Sequence, residues 1–198
     1  MTAARHHALM IVAMLTTIVV VGGCGTRSVL DVGYQTTKPT RFAQTPPRRV
    51  AIHPVTDQRV DPSRVGSLLK NGQDLVTRRP VVDIVREPLA GEFRRIGHSL
   101  AAEHADVAVA AEVEEFWLDV VTGYKRSQYV GRVAVAITVI DQRRGERVLV
   151  RRYVGIARRV GDEDIERAGR AVLDTALART MHDLATDPTV LAALAAAP

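Results

Sequence analysis

Cysteine is nearly absent: Cys24 is the only one in 198 residues. A single thiol excludes an internal disulfide and any metal site built on several thiolates. Aromatic residues make up only 4% of the chain, so aliphatic side chains and alanine must build the core. Lysine occurs three times against twenty-four arginines. No apolar run is long enough to cross a bilayer. The longest, Ala8 to Val21, has fourteen residues and as a helix would span about 21 Å against a hydrocarbon core of about 30 Å. Gly-rich phosphate loops, His-x-x-x-His pairs and Gly-x-Ser-x-Gly elbows are also missing.

What remains is the balance of a soluble globular chain, 46% hydrophobic and 25% charged, sized for one domain with tails. The net charge is +5 and the isoelectric point near 9.9. The surplus arginines are scattered, six times as doublets such as Arg48-Arg49, Arg143-Arg144 and Arg158-Arg159. That pattern reads as a solvated surface rather than a phosphate-tracking stripe, and no nucleic-acid partner is expected.

The N-terminus carries the most specific signal. Arg5, His6 and His7 precede the short apolar run, and small residues close it, the layout of a secretory signal. The closing residues Val21-Gly22-Gly23-Cys24 resemble a bacterial lipobox. The resemblance implies cleavage after Gly23 and a diacylglycerol thioether on Cys24, a firm membrane anchor once multiply acylated. In the lipoproteins it resembles, an Asp at the position of Gly25 favours inner-membrane retention, so the resemblance implies the outer membrane facing the periplasm. The expected organisation is a signal peptide over 1–23, a lipidated flexible tether over 24–49, and a periplasmic domain over 50–198. Thr36-Thr37-Lys38-Pro39-Thr40 and Pro46-Pro47 lack hydrophobic periodicity, while Leu30, Val32, Tyr34 and Phe42 are the tether residues able to pack back on the domain.

Within the domain, Val50 to Val55 reads as a short strand, and Asp57 to Gly72 as loop, followed by a brief extended piece near Leu75-Val76. Val82, Val85, Leu89, Phe93 and Ile96 share one helical face ending at Gly97, with Pro88 either kinking that helix or setting its start near Arg86. Val107, Val109, Ala111 and Val113 alternate, and the shift to Phe116, Leu118 and Val120 calls for a bulge. Val133, Val135, Ile137 and Val139 mark a second long strand. A turn at Gly145 leads to a third, read with Val148, Val150, Val154 and Ile156 inward. A last helix opens at Asp162-Glu163-Asp164, and Asp187-Pro188 starts a short terminal helix. The predicted fold is an α+β two-layer sandwich, a mostly antiparallel sheet with helices on one face, in the order strand, helix, three-strand meander, helix.

At this level the chain resembles the YajG-like bacterial envelope lipoproteins. The residues that carry the resemblance are the lipobox at Cys24, Asp57-Gln58-Arg59 after the early strand, Phe93-Arg94-Arg95-Ile96-Gly97, the Gly145 turn, and Leu184-Ala185-Thr186-Asp187-Pro188. It implies an envelope lipoprotein without an established activity.

Nothing in the chain reads as catalytic, and no cofactor or metal is expected. His53, His98, His104 and His182 lie in unrelated contexts, and His98 is read as a cation at a helix C-terminus. Glu112, Glu114, Glu115 and Asp119 fall on the wet face of a strand. One surface stands out: Ala134, Ala136 and Thr138 floored between Trp117 and Tyr153, with Arg151 and Arg159, are expected outward as a docking surface for an envelope protein or anionic ligand. Two functions follow. One is a non-enzymatic accessory or scaffold; the alternative is a lipid- or ligand-binding auxiliary of an ABC-type transport system. A filled core with an open face favours the first, a continuous apolar cavity between sheet and helices the second.

Overall fold

The computed structural model describes residues 27–34, 46–68 and 72–196. The expected signal peptide, Cys24, Phe42 and most of the expected tether lie outside them. Among the described residues nine strands form one sheet, β1 (Arg27–Leu30), β2 (Arg49–Ile52), β3 (Thr56–Asp57), β4 (Gly66–Leu68), β5 (Gln73–Thr77), β6 (Ser99–Leu100), β7 (Val107–Thr122), β8 (Ser127–Asp141) and β9 (Glu146–Gly161). Helices α1 (Val81–Arg95), α2 (Ile165–Thr186) and α3 (Pro188–Ala196) share one apolar core with it. This is the expected α+β sandwich.

The antiparallel ladders β7–β8 and β8–β9 run almost the full length of their strands. Short parallel pairings then add β2, β3 and β4 in succession along the other edge of β7. The β7 register shifts between Val113 and Glu115, so the expected bulge is present and both apolar sets reach the core. The segment read as loop contains β4 and begins on the last residue of β3, both too short to show a period.

The boundary of the domain needs correction. β1 lies in the sheet, parallel to β5 with Arg27 opposite Asp74. Leu30 and Val32 are buried, the Gly33 N–H donates to Asp174 Oδ1 at 2.9 Å, and the Tyr34 hydroxyl donates to buried Glu92. Residues 27–34 therefore belong to the folded body. Their alternation (Ser28, Leu30 and Val32 inward) was the available signal.

α1 starts at Val81 and continues through Pro88, which is buried in it. A proline inside a helix forfeits one hydrogen bond; here the burial of Ile84, Val85, Leu89 and Phe93 on the same helix offsets that cost. The helix ends with Gly97 at φ +98°. The Gly97 N–H donates to the Arg94 carbonyl and the His98 N–H to the Phe93 carbonyl, the paired bonds of a Schellman cap.

β9 reverses the expected facing. Tyr153, Gly155 and Ala157 lie toward the helices, whereas Val148, Val150, Val154, Ile156 and Val160 are exposed on the opposite face. The cause is the close approach of α2. A Cβ on Gly155 would sit 2.0 Å from the Ala176 carbonyl oxygen, and one on Gly131 of β8 2.8 Å from Val172 Cγ1. Only small residues fit beneath the helix backbone there, so the branched side chains take the other side. An extra residue at Val148, where the β8–β9 register shifts, sets this phase. Gly155→Ala is expected to lower stability by about 1–3 kcal/mol through overpacking. Gly91→Ala, inside α1 with open space around the new methyl, should raise it by about 0.5–1 kcal/mol. Urea unfolding midpoints of the two variants would show these opposite signs.

Candidate functional site

The helix-free face of the sheet has two zones. Along β9 it exposes aliphatic side chains, with Arg152 and Arg158 set between them. Val150 is 60% and Val160 61% exposed, and Ala134 and Ala136 lie behind Val154 and Arg152 in the neighbouring ladder. Across β7 the same face is charged. Arg132 holds Glu115 at 2.6 Å and Asp119 at 2.6 Å, and Arg152 pairs with Glu114. The acidic residues of β7 thus face arginines, which explains Glu114, Glu115 and Asp119 as sheet-surface ion pairs.

Trp117 lies in this charged zone, at a groove of about 500 Å³ also lined by Arg59, Arg64, Glu115, Arg132 and Arg152. Its indole N–H donates to Asp119 at 2.9 Å. The Arg64 guanidinium stacks 5.8 Å from the ring centre, within cation–π range, while bonding Asp61 at 2.7 Å and Asp74 at 3.1 Å. Arg59, nearly buried, donates to both Asp57 oxygens and to the carbonyls of Pro62 and Arg64. The hydrogen bond from Arg59 holds the Asp57 carboxyl below its usual range. Asp57-Gln58-Arg59 is therefore a staple for the loop that presents Arg64 to Trp117.

Tyr153 does not join them. It is buried on the helix side, donating to Asp187 Oδ2 at 2.7 Å, and burial together with that carboxylate raises its phenol pKa. Asp187 also accepts from the Thr189 N–H at 2.8 Å; burial opposes its ionisation, but the bonds from Thr189 and Tyr153 keep its pKa low. Tyr153 thus secures the cap of α3. Arg151 is exposed on that same side, near Asp187. The expected pairing of Trp117 with Tyr153 and Arg151 is replaced by Trp117 with Arg64, Arg132 and Arg152. The clue in the sequence was Gly155 and Ala157 sharing phase with Tyr153, opposite Gly131.

His98 and Ser99 form no nucleophile–base pair. The His98 Nδ1 accepts from the Arg48 backbone N–H at 3.2 Å, and the Ser99 hydroxyl donates to the Arg48 carbonyl. Nor is His98 a helix-end cation. It is buried against Phe93, ring centroids 6.4 Å apart, and burial plus the nearby Arg48 charge depress its pKa. Arg48 itself donates to the Ala195 carbonyl at 2.7 Å, placing a cation at the end of α3.

No family model matches the chain, and no curated protein is similar enough to align with it. Solved structures do match. A Xanthomonas campestris protein of the DUF330 family shares 14% identity over 83% of this chain and 96% of its own, with a TM-score of 0.65. The likeness is one of fold. A minor lipoprotein from Acinetobacter baumannii matches at 12% identity over 69% of this chain and 91% of its own, with a TM-score of 0.39. The YajG-like family is not singled out among these matches.

The buried imidazole gives a prediction. Unfolded, His98 takes up a proton near its ordinary value of 6.5; folded, it resists protonation to lower pH. The unfolded state then binds more protons, so stability is full above about pH 6.5 and declines as pH falls below it, by at most about 1.4 kcal/mol per pH unit. His98→Asn should flatten the slope of urea-unfolding free energy between pH 6.5 and 5.

Proposed function

We propose that this chain is a lipoprotein anchored through Cys24 in the bacterial outer membrane, acting without catalysis as an accessory or scaffold that docks another envelope protein on the open face of its sheet. One observation carries the docking part: five branched aliphatic side chains on β9 stay in solvent, with exposed Arg152 and Arg158 among them. Leaving such a patch wet on a lone molecule forgoes stabilisation of about 25 cal/mol per Å², and contiguous patches of this kind mark interaction sites. The charged zone around Trp117 borders it, giving an apolar centre with a polar rim. The sheet–helix interface, by contrast, is filled by Phe93, Phe116, Leu118, Ile137, Leu177 and Met181, all fully buried. That packing supports a scaffold over the transport auxiliary that would carry a lipid between its layers.

The anchor and the docking face have separate tests. Metabolic labelling with a palmitate analogue should mark the wild-type chain, and Cys24→Ala should lose the label and keep its leader. For the face, a photocrosslinking residue in place of Val150 should trap an envelope protein in living cells, and Val154→Glu should abolish the adduct while the melting temperature stays within a few degrees. An unlabelled wild type would overturn the anchor. A face that traps nothing, or an adduct indifferent to Val154→Glu, would overturn the scaffold role.

A further inference from the structure

β1 brings the proposed anchor close to the folded body. Gly25 and Thr26 alone separate Cys24 from Arg27, so the leash reaches at most about 11 Å. Its direction is also set. β1 is parallel to β5, β5 antiparallel to β4, and β4 parallel to β7, so β1 begins at the end of the sheet where β7 finishes. Following the ladder from Arg27 leads through Asp74 and Ser67 to Asp119, three strand spacings or about 14 Å away. Beyond Asp119 the β7–β8 hairpin projects a further 13 Å or about four residues, to a tip closed by the Gly123 N–H on the Arg126 carbonyl at 3.0 Å.

The chemistry of that tip matches a membrane surface. Tyr124 is 100% exposed and Val121 54%, and Lys125 and Arg126 are exposed beside them. Among the described residues neither cation has an ion-pair partner. Val160 of β9 adds an exposed apolar side chain opposite Gln128, at the base of the hairpin. The carboxylates at that base are engaged: Glu163 pairs with Arg159 and Asp164 caps α2, leaving exposed Asp162 below the tip. An aromatic ring with adjacent cations suits the headgroup layer, where the ring settles at the interface and the cations meet phosphates.

We propose that the β7–β8 hairpin tip, through Tyr124, Lys125 and Arg126, rests on an anionic phospholipid surface beside the anchor, so that the domain stands on the bilayer in one orientation. This rests on the reading of Cys24 as lipidated. The test uses the full processed chain purified from membranes and placed either in phosphatidylethanolamine vesicles containing about a quarter phosphatidylglycerol or in neutral detergent, with hydrogen exchange followed by mass spectrometry. Amides of residues 121–127 should exchange more slowly in the vesicles, those of 142–146 at the far hairpin should not change, and Lys125→Ala with Arg126→Ala should reduce the protection by about fivefold per cation removed. Equal exchange at 121–127 in chain that sediments with the vesicles overturns the hairpin contact and leaves the anchor standing. Protection that follows protein concentration in detergent assigns the tip to a second copy and also overturns it. Intact mass tests the anchor separately. Should Cys24 carry a bare thiol, coupling that thiol to a maleimide lipid in the same vesicles lets the exchange pattern decide the hairpin contact by itself.

Discussion

The meeting of two backbones, α2 against β8 and β9, decides most of what this molecule presents to its surroundings. The carbonyl of Ala176 leaves no room for a side chain at position 155, and Thr180 bonds the Val133 carbonyl at 3.2 Å from the same stretch of helix. With the helix this close, the face beneath it takes glycine and alanine, and the β-branched residues of β9 turn to solvent. Tight packing inside and aliphatic exposure outside are therefore two sides of one strand phase. Arg179 reaches the Ile156 carbonyl on the free edge of β9, so part of that edge is already occupied by the chain's own helix, which limits strand-to-strand aggregation.

A second constraint comes from β1. Because Leu30 and Val32 fill the core and Asp174 holds the Gly33 amide, the segment beside the proposed lipid site is structural. An anchor there constrains orientation as well as location. The open face and the groove at Trp117 would then run up from the membrane rather than float at the end of a long coil.

Much of the architecture was legible because it is periodic. The alternation in β7 and β8, the bulge, the stripe of α2 and the Asp187-Pro188 start of α3 all follow from spacing. Three features were not. β3 and β4 are two and three residues long and owe their pairing to β7. β9 carries a valine alternation that points away from the core, and hydrophobicity cannot tell which face a helix covers; the small residues Gly131, Gly155 and Ala157 could have. His98 sits just past a helix end, where a cation is favourable, yet the Schellman turn folds it under Phe93 and burial keeps it neutral. Of the candidate surface, the bulge in β7 sets Trp117 on the helix-free face, whereas the facing of β9 takes Tyr153 to the helix side.

The central position of β7 also orders events in time. Val50 pairs with Val107 and Arg27 with Asp74, so the first strands to leave a ribosome or a translocation pore wait for partners about fifty residues behind them. The two long hairpins, whose halves are neighbours in the chain, can zip up alone. Loop-closure entropy favours that sequence of assembly: the meander forms as a template, and the early strands dock on it last. Until then their unpaired backbone groups are exposed, which makes the nascent form, more than the finished one, the species that benefits from a chaperone.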